Sequence, residues 1–485
     1  MDEFGLLQTR LAEALERNVA DSTEPHVVVV LPSFSVGESL LSHYASRLPA
    51  LEHRFLGSLF MLRFPAVRVL YVCSAAPSDD VVDHYLSLMP PDMAATVRDR
   101  FRIVVVDDAS ARAVASKLLD RPDLIEAIRS WIGDDPAHIE PWNVAAPEME
   151  VALRLGVPIN GTSPTLWPLG FKSSGRTIFR DAGVPVPAGF EHLETVDQAV
   201  DAIDRLRTER PAMASVILKH DDSGAGDGNA VIRVDDLEPA GSVLSRRRLR
   251  SRVNSLDSWY IDDLRLGFVV EERIAGTHFS SPSAQIDLAP DGAVRVLSTH
   301  EQVLGDDGQV YLGCVFPADA AYAADLGTHA TAAGRALAER GVIGRVAVDF
   351  VTSADDDGPW RVHALEANIR KGGTTHPFTV LRHLAPGAYD PATGRYTDDR
   401  GRQKSYVASD NLHDERCTGI GEGEVIAALG TAGLLFDPDT RTGVVPHMLS
   451  CLAIDGRFGV TAIGDSGDQA SQLFDAVAEA ITAGT

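Results

Sequence analysis

Three apolar segments rich in β-branched residues constrain the fold of this 485-residue chain more than any other feature of its sequence. They comprise residues 26–32, 67–73 and 101–107, and helix-like segments separate them. Strands that are apolar at nearly every position, rather than at alternate positions, are typical of a parallel sheet covered on both faces. The sequence therefore predicts an α/β layer at the N-terminus.

The composition excludes several classes of protein. A chain with 45% hydrophobic and 23% charged residues is expected to fold into two to four domains. Its formal net charge of −25 argues against nucleic-acid or anionic-membrane binding, which require positive surface. No segment approaches the roughly 18 apolar residues of a spanning helix, and the N-terminus lacks a secretory pattern. We therefore expect a cytoplasmic protein whose four scattered cysteines are reduced.

A predicted β-hairpin carries the most informative polar residues. Residues 346–350 and 362–368 have the pattern of two strands joined by a polar turn. Because successive side chains of a strand point to opposite faces, Glu366 and Asn368 share one face. Folding the hairpin back would bring Asp349 opposite Glu366. The sequence thus predicts three oxygen-bearing side chains close together.

Clustered oxygen ligands of this kind suit a Mg²⁺ ion that also holds substrate phosphates. The basic pair Arg370 and Lys371 follows directly, where developing negative charge would need a partner. A hairpin with solvated acidic side chains explains this segment equally well on its own, so the remaining sequence has to decide between the two interpretations.

Two upstream segments carry cations in patterns that suit phosphate. Lys172 and Arg176 are four residues apart on a predicted helix over residues 171–182, so both lie on one face. Lys219 ends a predicted strand and is followed by a glycine-rich turn, whose backbone N–H groups can cover a polyphosphate. Taken singly, the first pair could be ordinary surface charges and the second segment a flexible hairpin.

The arginine-rich run at residues 245–252 is the only strongly basic stretch in this acidic sequence. Most such runs form solvated helix faces. The functional alternative is recognition of an acidic or carboxylate-bearing partner by arginine side chains.

The ordered combination of these segments over residues 147–385 resembles the ATP-grasp ligases. The resemblance rests on the cationic helix, Lys219 with its glycine loop, the hinge-like stretch 271–276, and Asp349 followed by residues 366–370. The narrower similarity is to the pheganomycin-type peptide ligases, which act in antibiotic biosynthesis. It rests on residues 370–377, on the preceding α/β region and on the stretch 406–411.

This resemblance implies an α/β and α+β protein in three parts. A Rossmann-like pre-ATP-grasp layer is expected over residues 1–165, a two-subdomain ATP-grasp fold over 166–385 and a small α+β extension over 386–485. The lid subdomain is expected at about 185–270. The extension either closes over the site, presenting Asp410, Asn411 or His447, or serves as a homodimer or packing module.

The resemblance also implies roles for individual residues. ATP is expected to contact Arg176, Lys219, Ser223, Gly224, Gly226, Glu271, Glu272, Ile274 and His278. His278 stands where many family members have a glutamate on the ribose hydroxyls. Mg²⁺ is expected to bind Asp349, Glu366 and Asn368, and Arg370 to steady the acyl phosphate and its oxyanion. Gly373, Thr374 and Thr375 are expected to border the acyl substrate, and His376 is our candidate for the base that takes the proton from the ammonium.

The sequence therefore predicts an ATP-dependent carboxylate–amine ligase that works through an acyl phosphate. Its expected substrates are an amino-acid-like carboxylic acid and the amino end of a peptide, with ATP and Mg²⁺ as cofactors. A ligase with a single amino acid as acceptor is one alternative. A catalytically silent nucleotide-binding or regulatory protein on the same fold is another, although the complete set of catalytic residue types favours an enzyme.

Overall fold

The computed structural model describes residues 2–90, 93–223, 228–305, 311–356 and 358–483. Within these ranges the chain forms four β-sheets with helices packed against them, which is the mixed α/β and α+β class that the sequence predicts. None of the helices in these ranges combines the length and the apolar character needed to cross a bilayer.

The N-terminal layer is a parallel sheet with strand order β3-β2-β1-β4. Its strands are β1 (His26–Leu31), β2 (Val67–Cys73), β3 (Phe101–Val105) and β4 (Ala137–Pro141). Its helices are α1 (Glu3–Gln8), α2 (Leu11–Arg17), α3 (Glu38–His43), α4 (Leu48–His53), α5 (Asp79–Ser87), α6 (Ala94–Val97), α7 (Val114–Leu119), α8 (Pro122–Ile132) and α9 (Ala146–Leu155). Val28 and Val30 enter one hydrophobic core, whereas Val27 and Val29 enter another. This division between two cores explains why the strands are apolar at nearly every position.

A second, antiparallel sheet has the order β5-β8-β6-β7, and we call it the lid sheet. It comprises β5 (Gly189–Leu193), β6 (Ser215–His220), β7 (Asn229–Arg233) and β8 (Phe268–Glu272). Helix α10 (Lys172–Asp181) precedes it, and α11 (Val196–Glu209), α12 (Val243–Val253) and α13 (Ser258–Asp263) lie between its strands in the chain. Leu218, Val270 and Leu249 share one apolar core, which joins α12 to the strands.

The arginine-rich run forms helix α12 and pairs with acidic side chains of the same region. Arg246 contacts Asp201 and Asp204, and Arg252 contacts Asp236 at 2.6 Å. Arg248 and Arg250 also have carboxylate partners on neighbouring segments. These internal ion pairs favour the solvated helix face over recognition of an acidic partner.

The main sheet has the order β14-β13-β10-β11-β12-β17-β19-β18, and β9 pairs with β13. Its first strands are β9 (His278–Ser280), β10 (Pro282–Leu288), β11 (Val294–Leu304), β12 (Tyr311–Phe316), β13 (Gly344–Ala354) and β14 (Arg361–Asn368). Helix α14 (Ala323–Ala338) covers this part, and Ala330 and Leu337 share a core with Ile286 and Val346. The small side chains of α14 allow it to lie close to the sheet.

The C-terminal extension continues the main sheet instead of forming a separate layer. After helix α15 (Thr375–Leu384) and the hairpin β15 (Gly387–Asp390) and β16 (Arg395–Asp398), strand β17 (Ser405–His413) pairs with β12. The chain ends with α16 (Glu422–Thr431), β18 (Gly443–His447), α17 (Leu452–Asp455), β19 (Arg457–Gly464) and α18 (Gly467–Ala483). Val460 and Val477 share a core with Phe60 of the N-terminal layer. The two ends of the chain therefore pack together.

Candidate active site

The two strands of the predicted hairpin bring three polar side chains together, and we call Asp349, Glu366 and Asn368 the acidic wall. In the antiparallel pair β13 and β14, Asp349 lies directly opposite Glu366, as the sequence predicts. The Asn368 amide donates to Asp349 Oδ2 at 2.9 Å and approaches Glu366 Oε1 at 3.4 Å. Gln302 of β11 donates to Asp349 Oδ1 at 3.0 Å. Three oxygen-bearing side chains thus share one small region of the sheet.

The two carboxylates of the acidic wall have opposite pKa shifts. Burial and the neighbouring charge of Glu366 raise the pKa of Asp349. Burial also acts against ionisation of Glu366, but Lys172 and Lys219 hold the pKa of Glu366 below its ordinary value. Two facing carboxylates repel each other, so the wall is an arrangement that a bound cation would stabilise.

Lys172 was not among the residues assigned to the site from the sequence. Its ammonium lies 3.4 Å from Glu366 Oε2 and donates to the backbone oxygen and the hydroxyl of Ser223 at 2.9 and 3.0 Å. It therefore connects α10, the start of the glycine loop and the acidic wall. The four-residue spacing to Arg176 places both residues on one helix face, but spacing does not say which cation reaches the wall.

Arg176 and Lys219 converge on one buried carboxylate, Glu271. Arg176 Nη1 lies 3.6 Å and Lys219 Nζ 3.4 Å from Glu271 oxygens. The backbone oxygen of Pro187 accepts from Arg176 Nη2 at 3.0 Å, so the guanidinium is tightly held. Arg176 Nη1 and Glu271 Oε1 are buried but make no hydrogen bond to any described residue. Each of these atoms lies in a long ion pair but keeps hydrogen-bonding capacity, which fits a site that receives a polar ligand.

The remaining predicted ATP contacts include residues at the end of β8 and in the segment that leads to β9. The backbone N–H of Glu272 donates to Ala188 at 2.7 Å, and the half-buried Ile274 follows β8. His278 lies exposed on β9, with its ring 6.4 Å from that of Trp360. Gly224 and Gly226 lie outside the described residues.

Arg370 and Lys371 have different surroundings despite being adjacent. The Arg370 guanidinium lies 4.8 Å over the Trp142 ring, and Asp349 and Glu366 partly offset the lowering of its pKa by burial. Lys371 instead pairs with Glu140 at the end of β4, at 2.6 Å. Of the two cations, Arg370 therefore lies beside the acidic wall and Lys371 is paired elsewhere, while the role of Arg370 stays a prediction. Trp142, whose buried indole nitrogen has no hydrogen bond to any described residue, was not predicted.

The predicted acyl-substrate border begins helix α15. Thr374 and Thr375 are buried, and the Thr375 hydroxyl accepts from the backbone N–H of Gly372 at 3.1 Å. A Cβ on Gly373 would lie 2.6 Å from the Tyr311 ring, so only glycine fits there without a shift. This close packing places the border against β12.

His376 is buried and faces two side chains of the C-terminal extension. Its Nε2 lies 3.0 Å from Asp410 Oδ1 and 3.1 Å from His447 Nε2. Burial lowers the pKa of His376 to about 4, so its imidazole is neutral at pH 7. Although burial acts to raise it, the pKa of Asp410 lies well below its ordinary value because His376 and Arg54 are close. Of the three extension residues named from sequence, Asp410 and His447 reach this group.

Comparisons with known proteins find two matching families and two relatives. Residues 249–388 match the family described as IQCH-like, ATP-grasp, and residues 424–477 match the PGM1 C-terminal domain. The chain is 28% identical to the L-propargylglycine--L-glutamate ligase of Streptantibioticus cattleyicolor, over 98% of each chain. It is 24% identical to IQ motif-containing protein H of Danio rerio, over 63% of this chain and 34% of that one.

Solved structures share the fold at low sequence identity. Biotin carboxylase from Campylobacter jejuni superimposes with a TM-score of 0.54 at 15% identity, covering 94% of this chain and 90% of the other. N5-carboxyaminoimidazole ribonucleotide synthetase from Thermus thermophilus gives 0.51 at 13% identity, covering 93% and 98%. Both likenesses are likenesses of fold.

Residues 249–388 match an ATP-grasp family, and over its whole length the chain is similar to a ligase of the pheganomycin type. This confirms the expected superfamily and fold class. It does not test the individual site residues, whose roles remain predictions.

Proposed function

We propose that this protein is an ATP-dependent carbon–nitrogen ligase that activates a carboxylic acid as an acyl phosphate and transfers the acyl group to an amine. The proposal rests on the position of Lys172, whose ammonium contacts both Glu366 and Ser223. This contact brings a cation, a metal-type carboxylate and the start of the predicted phosphate loop to one place. Such a combination suits phosphoryl transfer, which depends on positioning and charge stabilisation.

Nucleotide binding would fall to the buried cations and to the segment from the end of β8 to β9. Arg176, Lys219 and Lys172 would hold the phosphates, assisted by Ser223. Glu271 and the backbone of residues 272–274 would meet the adenine, and His278 would lie toward the ribose. A polar ligand at this place is supported by Arg176 Nη1 and Glu271 Oε1, which are ion-paired but make no hydrogen bond to any described residue.

The acidic wall would hold Mg²⁺ through Asp349, Glu366 and Asn368, because oxygen ligands suit this ion. Bound there, the ion would supply charge neutralisation for the phosphates. The wall's facing carboxylates support this assignment, since a cation between them would relieve their mutual repulsion.

Arg370 would stabilise the negative charge that develops on the acyl oxygen during amine attack. Its position over Trp142, with Asp349 and Glu366 nearby, holds the guanidinium in place before reaction. Residues 373–375 would border the acyl group. His376 stays the predicted proton acceptor on sequence grounds, although both of its ring nitrogens are buried in the structure.

The amine acceptor has two candidates. The pheganomycin-type resemblance favours the amino end of a peptide, whereas the Streptantibioticus relative is named for joining two amino acids. That name, at 28% identity over 98% of both chains, favours a single amino acid as the second candidate. The negative charge of the chain gives no preference between them.

The test is release of ADP and phosphate that depends on both a carboxylic acid and an amine. The purified chain is incubated with ATP, Mg²⁺ and a panel of amino acids as acids, with either amino acids or dipeptides as acceptors. We expect turnover with at least one acid, and a hydroxamate when hydroxylamine replaces the amine. A panel that elicits neither ADP release nor a hydroxamate would count against the ligase and for the silent nucleotide-binding protein.

A further inference from the structure

Three potential metal ligands meet where the C-terminal extension joins helix α15. We propose that His376, Asp410 and His447, which we call the histidine triangle, bind a divalent transition-metal ion such as Zn²⁺. This site is separate from the acidic wall in its residues and does not depend on the ligase assignment. The three ligand atoms lie within 4.8 Å of one another.

The distances within the histidine triangle allow hydrogen bonds to Asp410, and they also suit a shared cation. Its sides are 3.0 Å from His376 Nε2 to Asp410 Oδ1, 2.8 Å from His447 Nε2 to the same oxygen, and 3.1 Å between the two nitrogens. If both imidazoles donate to the carboxylate oxygen, neither has an Nε2 hydrogen left for the other, so the 3.1 Å nitrogen–nitrogen contact carries no hydrogen bond. If one imidazole donates to the other, it has no Nε2 hydrogen left for the carboxylate.

A single cation can satisfy all three atoms at once. Imidazole nitrogen and carboxylate oxygen bind zinc at about 2.0–2.2 Å. A point at that distance from each corner lies only about 1 Å out of the plane of the triangle, so no side chain has to move far. Two nitrogen ligands select a transition metal over Mg²⁺, which prefers oxygen.

The local backbone is arranged to bring the extension's two side chains together. Strands β17 and β18 both pair with β19, so Asp410 and His447 belong to strands separated by one neighbour. The pairing of β17 shifts register between Ser409 and Leu412, and such an irregularity redirects the side chains at Asp410. Gly459 lies opposite His447, and a Cβ there would be 2.2 Å from His447 Nε2. The missing side chain leaves the space in which the imidazole crosses β19.

The second carboxylate oxygen of Asp410 is held by a residue of the N-terminal layer. Arg54 Nη1 lies 2.6 Å from Oδ2, while Oδ1 faces the two imidazoles. Such an outer partner fixes the orientation of a metal-binding carboxylate. Arg54 also adds a positive charge near the ion, which lowers its affinity, so we expect a site that releases its metal to a strong chelator.

A metal at this position would fasten the extension to the start of α15. His376 follows the predicted acyl-substrate border directly, so the ion would hold β17 and β18 against that border. Three protein ligands leave at least one coordination position for water. The assignment replaces the proton-acceptor role predicted for His376, because a metal-bound Nε2 has no lone pair for a proton.

The test measures metal content in the full chain without a histidine tag. The protein is stripped with chelator, loaded with Zn²⁺ in the presence of excess Mg²⁺, and freed of unbound metal by gel filtration. We expect about one zinc per chain in the parent protein by mass spectrometry of the metal, and at least a tenfold loss in His447→Gln. The matched control is His383→Gln, which changes a buried histidine of helix α15 whose ring contacts Phe64.

Two further measurements decide the remaining outcomes. Glu366→Gln should keep its zinc, which excludes the acidic wall as the binding site. If His447→Gln fails to fold, X-ray absorption of the zinc-loaded parent should show scattering from two imidazoles, with distances of about 2.0–2.2 Å from zinc to its ligand atoms. A parent chain that takes up no zinc, equal zinc in parent and His447→Gln, or absorption without imidazole scattering would each overturn the proposal.

Discussion

The acidic wall and the histidine triangle are built in opposite ways. The wall comes from one hairpin, where Asn368 and Asp349 are 19 residues apart. The triangle joins segments as far apart as His376 and His447, a separation of 71 residues. The wall holds like charges together, which costs stability. Lys371, which follows the wall in the chain, instead forms an ion pair with Glu140 of the N-terminal layer, and we call such pairs between distant segments the tail contacts. We therefore expect variants of the wall to change turnover and variants of the tail contacts to change stability.

The largest effect is expected from Glu366→Ala. Removing one metal-type carboxylate from the wall should lower turnover at least about a thousandfold, because the phosphates lose their bridging cation. Thermal unfolding should stay within a few degrees of the parent. Asp355→Ala is the matched control, since Asp355 is an exposed acid at the end of the same hairpin, paired with Arg361. Full activity in Glu366→Ala would refute the metal assignment.

Arg370→Ala should lower turnover about a hundredfold to a thousandfold, the loss typical of one removed oxyanion donor. The measurement is kcat for hydroxamate formation, with ATP binding measured separately by calorimetry. Arg370→Lys keeps the charge but not the planar contact with Trp142, so we expect an intermediate kcat. An unchanged kcat in Arg370→Ala would show that another group stabilises the oxyanion.

Glu140→Gln tests the tail contacts through stability. Lys371 would be left buried without its partner, which should lower the free energy of unfolding by about 3 kcal/mol at pH 7. Although burial opposes ionisation, Lys371 and His138 help lower the pKa of Glu140 from 4.5 to about 2. Its contribution is therefore fully present above pH 4.5 and lost as the pH falls toward 2.

The measurement for Glu140→Gln is urea unfolding as a function of pH. The stability difference between parent and variant should shrink as the pH falls from about 5 to 2. A difference that stays constant over this range would mean that packing, and not the ion pair, carries the effect.

The smallest expected effect is a gain in stability instead of a loss. Asp349→Asn should raise the free energy of unfolding by about 1 kcal/mol at pH 7 without Mg²⁺, because burial and Glu366 raise the pKa of Asp349. An acid whose folded pKa is raised destabilises the folded state above its unfolded pKa, and this penalty disappears as the pH falls. Chemical unfolding at pH 7 and pH 4 should show the gain at the higher pH only. A destabilised variant would break the contrast between wall and tail.

The sequence predicted those features that depend on local pattern. Alternation along β14 placed Glu366 and Asn368 on one face, and the turn pattern gave the pairing with Asp349. Apolar runs predicted the parallel N-terminal sheet. Lys172 was recognised as a cation of the same helix face as Arg176, but its contact with Glu366 depends on how α10 packs on β14, which spacing along one helix cannot give.

Features that depend on the pairing of distant segments could not be predicted from the sequence. Strand β17 extends the main sheet by pairing Ser409 with Gly313, and nothing local in either strand specifies that neighbour. The same is true of Lys371, which was expected near the reacting charge but pairs with Glu140 of the N-terminal layer. The histidine triangle lacks the short ligand spacings by which metal sites are recognised in sequences.

The central claim is that a carboxylate is activated by phosphate before the amine attacks. The most direct measurement uses an acid substrate from the panel with ¹⁸O in its carboxyl group and follows the label by mass spectrometry of the phosphate released. The acyl-phosphate route predicts one ¹⁸O in each phosphate formed, in an amount equal to the amide product. Amide formation with unlabelled phosphate would contradict it.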